Sequence, residues 1–480
     1  MESGTENACY DIGIIGLGTM GSALARNLLN KGFAVAAYSR EESERMRFHA
    51  LALGSSSGSR CGVFEDLGAF VRSLSAPRKA LLMITAGAAV DEVLDAMTPL
   101  LTPGDTVIDG GNSWYRDTAR RQALLRGRGL HYMGVGVSGG ERGALEGPSI
   151  MAGGDPEGWA QCAGILSACA AKYDGLPCCR YMGADGAGHY VKMLHNGVEY
   201  GILQLIAEAY SLMGSLPGWA GGEPVACFER WRSGKLASYL IDAAAIVLAR
   251  KDSDGAPLVD KIADVAGQNG TGKWTALEGI ERGVYIPTIS EALAMRSHSA
   301  RLTLRQKGQQ ELALAPIDMA TASEASTSAH LWHIAPCDLE DALYAAMLCC
   351  YSQGLELLYA ASAQLGWAVS LRDAVEVWKA GCIIRADMLG SIGEALDGAY
   401  EGNLLFAKEF HPLQEEQVLR KIVSYTAAAG LSAPAFSASL NYYDACRAGR
   451  TPINLIQGMR DHFGAHGFRR TDKEGVFHID

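Results

Sequence analysis

The sequence predicts an α/β N-terminal domain, Rossmann-like and doubly wound, followed by a large all-α domain and a C-terminal tail. Three observations predict it. Short apolar runs alternate with amphipathic stretches over the first third of the chain. A glycine-rich turn joins the first run to the first helical stretch. From about Gly186 onward, long Ala/Leu-rich helical patterns replace the strands. A chain of 480 residues also exceeds what one hydrophobic core serves.

Element by element, residues 11–17 and 33–38 read as strands, with residues 22–31 as the helix between them. The strand series continues at 80–84, 106–109 and 132–137, each run following a helical segment such as 89–100 or 116–126. The helical patterns that follow cover 189–213, 236–250, 339–365 and 370–384. The expected division is 1–185 for dinucleotide binding, 186–446 for substrate and dimerisation, and 447–480 as a tail too short and polar to fold alone. Ser/Gly-rich 54–60 and Ala/Ser/Thr-rich 319–329 read as surface loops.

Composition narrows the function. A net charge of −11 argues against nucleic acid or an anionic membrane as the main partner, so an anionic substrate requires a local cluster of Arg and Lys. The twelve cysteines form no CxxC pair, and the vicinal pairs Cys178-Cys179 and Cys349-Cys350 are poorly placed for a bridge; reduced thiols are expected. The polar start reads as no secretory signal, and the most apolar helical stretch, 202–213, is broken by Gln204 and Glu208. A cytoplasmic enzyme is the default expectation.

Gly16-Leu17-Gly18-Thr19-Met20-Gly21 follows the first strand and opens a helix. In that setting the first Gly permits the tight turn, the second lets backbone approach a pyrophosphate, and the third allows close helix–sheet packing. The helix N-terminal amides then face the anion. At the end of the second strand stand Ser39 and Arg40 instead of the carboxylate that holds an NAD ribose, so NADP is the expected cofactor, with Glu41 an awkward neighbour for a phosphate. A solvated surface arginine is the competing account of Arg40.

Lys192, His195, Asn196, Glu199 and Tyr200 recur at helical spacing and share one face, with Lys192 and Glu199 about 10 Å apart along the axis. An ordinary solvated face would look the same. The helix runs on into the nearly apolar 202–213, which places its polar beginning at a cleft instead. A desolvated lysine loses its proton near neutrality and a buried carboxyl keeps one, so the pair suits acid/base chemistry on an alcohol.

The stretch 186–201 resembles the active-site signature of 6-phosphogluconate dehydrogenases. So do 109–113, 137–141, 270–275, 454–457 and 460–466, in the right order from Asp11 to about Phe468. The resemblance implies Lys192 as general base on the C3 hydroxyl and Glu199 as general acid at C1 of the enediol. It implies Asn112, Ser138, Gly139, Gly140, His195 and Asn196 around the sugar acid. Tyr200, Lys273, Arg296 and the tail's Arg460 would hold the 6-phosphate, with His466 completing the site. Cofactor contacts would come from residues 16–21, from Ser39, Arg40 and Glu41, from Ile84, Thr85 and Ala86, and from Asn112. The family's tail reaches into the partner subunit, which implies a homodimer. Ser39-Arg40-Glu41 departs from the Asn-Arg-Thr common in the family, and Thr85 stands where many members carry Lys. No metal is expected; His330/His333 and His462/His466 have usable spacings, but no carboxylate or Cys completes either set. The competing readings are a related β-hydroxyacid dehydrogenase acting on an unphosphorylated substrate, and a catalytically silent NADP-binding sensor.

Overall fold

The computed structural model describes residues 9–53, 60–216, 223–267, 270–312, 334–398, 400, 402–410 and 417–479. The loop expected at 319–329 lies outside these residues, as do 54–59 of the first Ser/Gly-rich stretch.

The strands of the first half are β1 (Ile12–Ile15), β2 (Val35–Tyr38), β3 (Cys61–Phe64), β4 (Lys79–Leu82) and β5 (Thr106–Asp109). After them come β6 (His131–Ser138), β7 (Ser149–Gly154), β8 (Lys172–Tyr173), β9 (Leu176–Pro177) and β10 (Cys179–Gly183). Except for β8 and β9, which pair as a small ribbon, they form one sheet in the order β10-β7-β6-β5-β4-β1-β2-β3. The first six run parallel in the order 3-2-1-4-5-6 of a doubly wound dinucleotide fold. β7 is antiparallel to β6, and β10 runs parallel to β7. All four residues of β1, β2 and β5 are buried, because helices cover both faces of the sheet. The strand order reverses between β1 and β4, which opens a crevice at their carboxyl ends.

The second half is built around α8 (Ala187–Met213), which begins four residues after the last strand's Gly183. Its first turn lies directly on the sheet. A Cβ at Gly188 would overlap the Gly134 carbonyl of β6 and the backbone of β7, so only glycine lets the helix come this close. Farther along, α8 packs against α11 (Thr271–Arg282), α12 (Pro287–Ser299) and the 30-residue helix Pro336–Leu365. A single apolar cluster spans these helices and takes in Tyr190, Leu194, Val198 and Ile202 from α8. The helix expected over 370–384 stops at Trp378. Gly381, at φ +74, turns the chain there, and its carbonyl approaches Gly139, the residue directly after β6. In the tail, Ile453–Gly464 is helical, and of its residues only Asp461 is buried.

Candidate active site

The crevice at the ends of β1, β2 and β4 encloses about 930 Å³ of open space. Gly16, Gly18, Ser39, Arg40, Glu41, Ile84 and Thr85 line it, together with Glu44 and Met83, which the sequence reading did not single out. Gly16 has φ +95, and a Cβ at Gly21 would overlap the Gly16 carbonyl. The turn therefore needs glycine at both places. Leu17 is fully buried beneath it, while Thr19 and Met20 open the helix Thr19–Asn30. Its cap residue, Gly18, supplies no side-chain hydrogen bond, so the first amides remain available to an anion. The residues present fit a dinucleotide. Ala86 is half-buried just beyond the lining residues.

A second cleft, of about 430 Å³, is lined by Asn112, Asn196, Glu199, Tyr200, Gly267, Thr271 and Arg296. Asn112 stands at the tip of the loop after β5, and that loop is clamped from beneath. Asp109 accepts from Ser113 Oγ at 2.6 Å, from the Tyr132 hydroxyl at 2.9 Å and from the Gly111 amide at 3.1 Å. His189 Nε2 lies 3.1 Å from the Asp109 carbonyl.

The polar stripe of α8 is not a solvated face. Lys192, His195 and Tyr200 are buried, and Asn196 and Glu199 are half-buried. Room for the Lys192 stem comes from β6, where a Cβ at Gly136 would overlap the lysine Cβ. Burial drives the Lys192 pKa down from 10.5 to about 8, against the opposing pull of Glu199 and Cys382. Glu199 is pushed up by burial, partly offset by Lys192 and Arg296. The His195 ring lies 3.0 Å by Nδ1 from Asn196 Oδ1 and 3.1 Å by Nε2 from the Ser138 hydroxyl. Because an amide oxygen only accepts, His195 carries its proton on Nδ1 and Nε2 accepts from Ser138. Burial and the Lys192 charge hold the ring well below its ordinary pKa, so it is neutral. With Nδ1–H committed to Asn196, the 3.5 Å approach of Lys192 Nζ gives the amine no real partner. It stays free for a substrate oxygen.

Asn196 Nδ2 donates to Thr271 Oγ1 at 3.1 Å, tying α8 to α11. Arg296 stacks on the Tyr200 ring, 4.1 Å from its centroid, and donates to the Gly267 carbonyl at 3.0 Å. Gly139 and Gly140, at φ +134 and +63, form the turn after Ser138. Lys192, Ser138, Gly139, Gly140 and His195 are not among the lining residues, and neither are Lys273, Arg460 and His466. Lys273 is exposed on α11, and Arg460 and His466 are exposed on the tail, where Arg460 donates to Gln457 Oε1 at 3.2 Å. Thr271 and Gly267 line the cleft without having been foreseen. Of the two histidine pairs, His330 and His333 lie outside the described residues, and His462 and His466 are both exposed. Among the described residues no group of three or more His, Cys, Asp or Glu side chains is disposed to hold a metal ion.

The profile of the NAD binding domain of 6-phosphogluconate dehydrogenase matches residues 11–183, and that of the enzyme's C-terminal domain matches 188–480. The chain belongs to the 6-phosphogluconate dehydrogenase family. Two Bacillus subtilis members of that family are each 42% identical to it over 98% of both chains. One is named the NADP(+)-dependent and the other the NAD(+)-dependent decarboxylating 6-phosphogluconate dehydrogenase. The solved Plasmodium falciparum 6-phosphogluconate dehydrogenase, described with its cofactor NADP+ and its substrate 6-phosphogluconate, superposes with a TM-score of 0.91 at 37% identity. That match covers 98% of this chain and 99% of the other.

Proposed function

We propose that the protein oxidises and decarboxylates 6-phosphogluconate to ribulose 5-phosphate and carbon dioxide, reducing NADP. The observation that carries this reading is the pairing on α8 of a buried, poorly solvated Lys192 with a half-buried Glu199 that lines a cleft with Arg296.

The nicotinamide, when bound, accepts the hydride from C3. Lys192 takes the C3 hydroxyl proton, since a lysine with a pKa of about 8 is partly neutral at physiological pH. The resulting ketone lies β to the carboxylate, so carbon dioxide leaves with its electrons delocalised toward the C3 oxygen. The ammonium of Lys192 then stabilises that oxygen's developing charge. Glu199, whose pKa burial pushes up, protonates C1 of the enediol. Ser138, the Gly139–Gly140 turn, His195, Asn196 and Asn112 orient the sugar acid, while Arg296 and Tyr200 meet the phosphate.

Residues 1–185 thus serve the cofactor and 186–446 the substrate, with the tail 447–480 completing the site of a second copy. The tail's exposure supports this last point. Ile453, Leu455, Ile456, Met459 and Phe463 are all exposed on the Ile453–Gly464 helix, and Arg460 and His466 have no role within their own chain's cleft. The place of action is the cytoplasm; no helix among the described residues is long and apolar enough to cross a membrane.

Parallel measurement of NADPH and carbon dioxide from 6-phosphogluconate tests the proposal. Equal amounts are expected, with far slower turnover of gluconate. NADPH without carbon dioxide, or equal rates on the two sugar acids, contradicts it.

A further inference from the structure

The adenosine end of the crevice holds a carboxylate in a defined position. Glu44 lies in the first turn of α2 (Glu42–Leu53). Its Oε2 accepts from the Ser39 hydroxyl at 2.7 Å and from the Leu17 amide at 3.2 Å. Ser39 is the residue that follows β2, and Leu17 sits inside the glycine turn. The two bonds therefore fix the carboxylate between strand end and turn. Its other oxygen, Oε1, lies 3.6 Å from where a Cβ on Gly18 would stand. A dinucleotide fold that holds an unphosphorylated ribose presents Asp or Glu at this place, from the strand end itself. Here the strand ends in serine, and the carboxylate arrives from five residues further along the chain.

The surrounding charges point the same way. The Arg, Lys, Asp and Glu side chains lining the crevice are Arg40, Glu41 and Glu44. Arg40 is paired with Glu92 at 3.2 Å. Arg45 is turned onto the carbonyls of Ser39 and Arg40, at 2.8 and 3.0 Å, and Arg47 onto that of Leu17 at 3.2 Å. Every guanidinium near the strand end is engaged already. A 2′-phosphate must draw Arg40 away from Glu92 and stand beside Glu44. A ribose diol needs only an acceptor, and Glu44 is one.

We infer that Glu44 is a specificity-determining residue: it accepts from the adenosine ribose hydroxyls and opposes a 2′-phosphate, so the crevice binds NAD as well as NADP and separates them weakly. This rests on the dehydrogenase reading above.

The test is fluorescence titration of the full-length protein with NADPH and with NADH, for wild type, Glu44→Gln and Glu41→Gln. Glutamine keeps an oxygen to accept from Ser39 and Leu17 and removes the charge. In wild type the two dissociation constants are expected within about tenfold of each other. Glu44→Gln is expected to tighten NADPH about three- to tenfold and to loosen NADH, because a like charge is removed and the diol's charged acceptor becomes a neutral one. Glu41→Gln, whose side chain is exposed and is not tied to the loop, should move the ratio less. Displacement of NADPH by 2′,5′-ADP against 5′-AMP should report the same change without the nicotinamide. The inference is overturned by a wild type that excludes NADH by more than about a hundredfold, by a ratio unchanged in Glu44→Gln, or by an equal change in Glu41→Gln. Failure of wild type to bind either dinucleotide would instead bring down the dehydrogenase reading itself.

Discussion

Replacing Lys192 with methionine should make the protein nearly inactive and more stable at once. The amine is buried, and desolvation lowers its pKa from 10.5 to about 8 despite Glu199 and Cys382, which pull the other way. A displacement of that size corresponds to about 3 kcal/mol at 1.36 kcal/mol per unit. That is the cost of keeping the ammonium folded at neutral pH. The sign follows from proton counting. Below pH 8 both folded and unfolded lysines are charged and the cost is at its full value. Between about 8 and 10.5 the unfolded chain holds one more proton, so wild-type stability rises with pH through that window relative to the variant. Methionine fills similar space without charge, so Lys192→Met should unfold at higher temperature at pH 7, and the gain should shrink toward pH 10. Turnover should fall about 10²- to 10⁴-fold, the usual contribution of a positioned general base. Wild-type kcat/KM should rise about fivefold from pH 7 to 8, as the neutral fraction grows from about a tenth to a half. The assays are NADPH formation and thermal denaturation across pH. A variant less stable than wild type at pH 7, or a flat wild-type profile between pH 7 and 8, would refute the reasoning.

Three further outcomes are expected. Gly136→Ala drives a methyl into the Lys192 stem and lies 3.2 Å from the Gly188 carbonyl; it should cost about 1–3 kcal/mol of stability and, by shifting the amine, about 10²-fold in kcat. Calorimetry and steady-state kinetics together check it. Arg296→Met should raise KM for 6-phosphogluconate about 10- to 100-fold while leaving NADPH binding unchanged, since it removes a charge-assisted contact at the substrate cleft alone. Glu278 is fully buried and joins Arg282 at 3.0 Å and the Tyr115 hydroxyl at 2.9 Å. Glu278→Gln should therefore destabilise by about 3 kcal/mol in a denaturant titration, with little change in cofactor affinity.

The fold was readable where local pattern and tertiary role agree. The apolar runs before the glycine turn and after the helix it opens became β1 and β2, because a parallel strand buried on both faces must be apolar throughout. β3, β7 and β10 were missed, as was the small β8–β9 ribbon. Cys61–Phe64 follows a Ser/Gly-rich run that reads as loop, and Ser149–Gly154 ends in paired glycines with no alternation. Their strand character comes from neighbours far away in sequence, as does the antiparallel pairing of β7 with β6. The catalytic helix was legible because its polar residues sit on one α-helical face, a relation internal to the sequence. Glu44 was not, because its position depends on α2 folding back to meet Ser39 and Leu17. Thr271 likewise reaches the cleft only through the packing of α11 on α8. Arg460 and His466 stand outside their own chain's cleft, and nothing in their local sequence marks that position.

The most direct test of the proposed acid/base assignment follows the proton assigned to Glu199. Turnover of 6-phosphogluconate in deuterium oxide should place one deuterium at C1 of the product with a single stereochemistry in wild type. In Glu199→Gln, turnover should be slow and the deuterium distributed over both positions. Product of unchanged stereochemistry formed by Glu199→Gln at the wild-type rate would contradict the account.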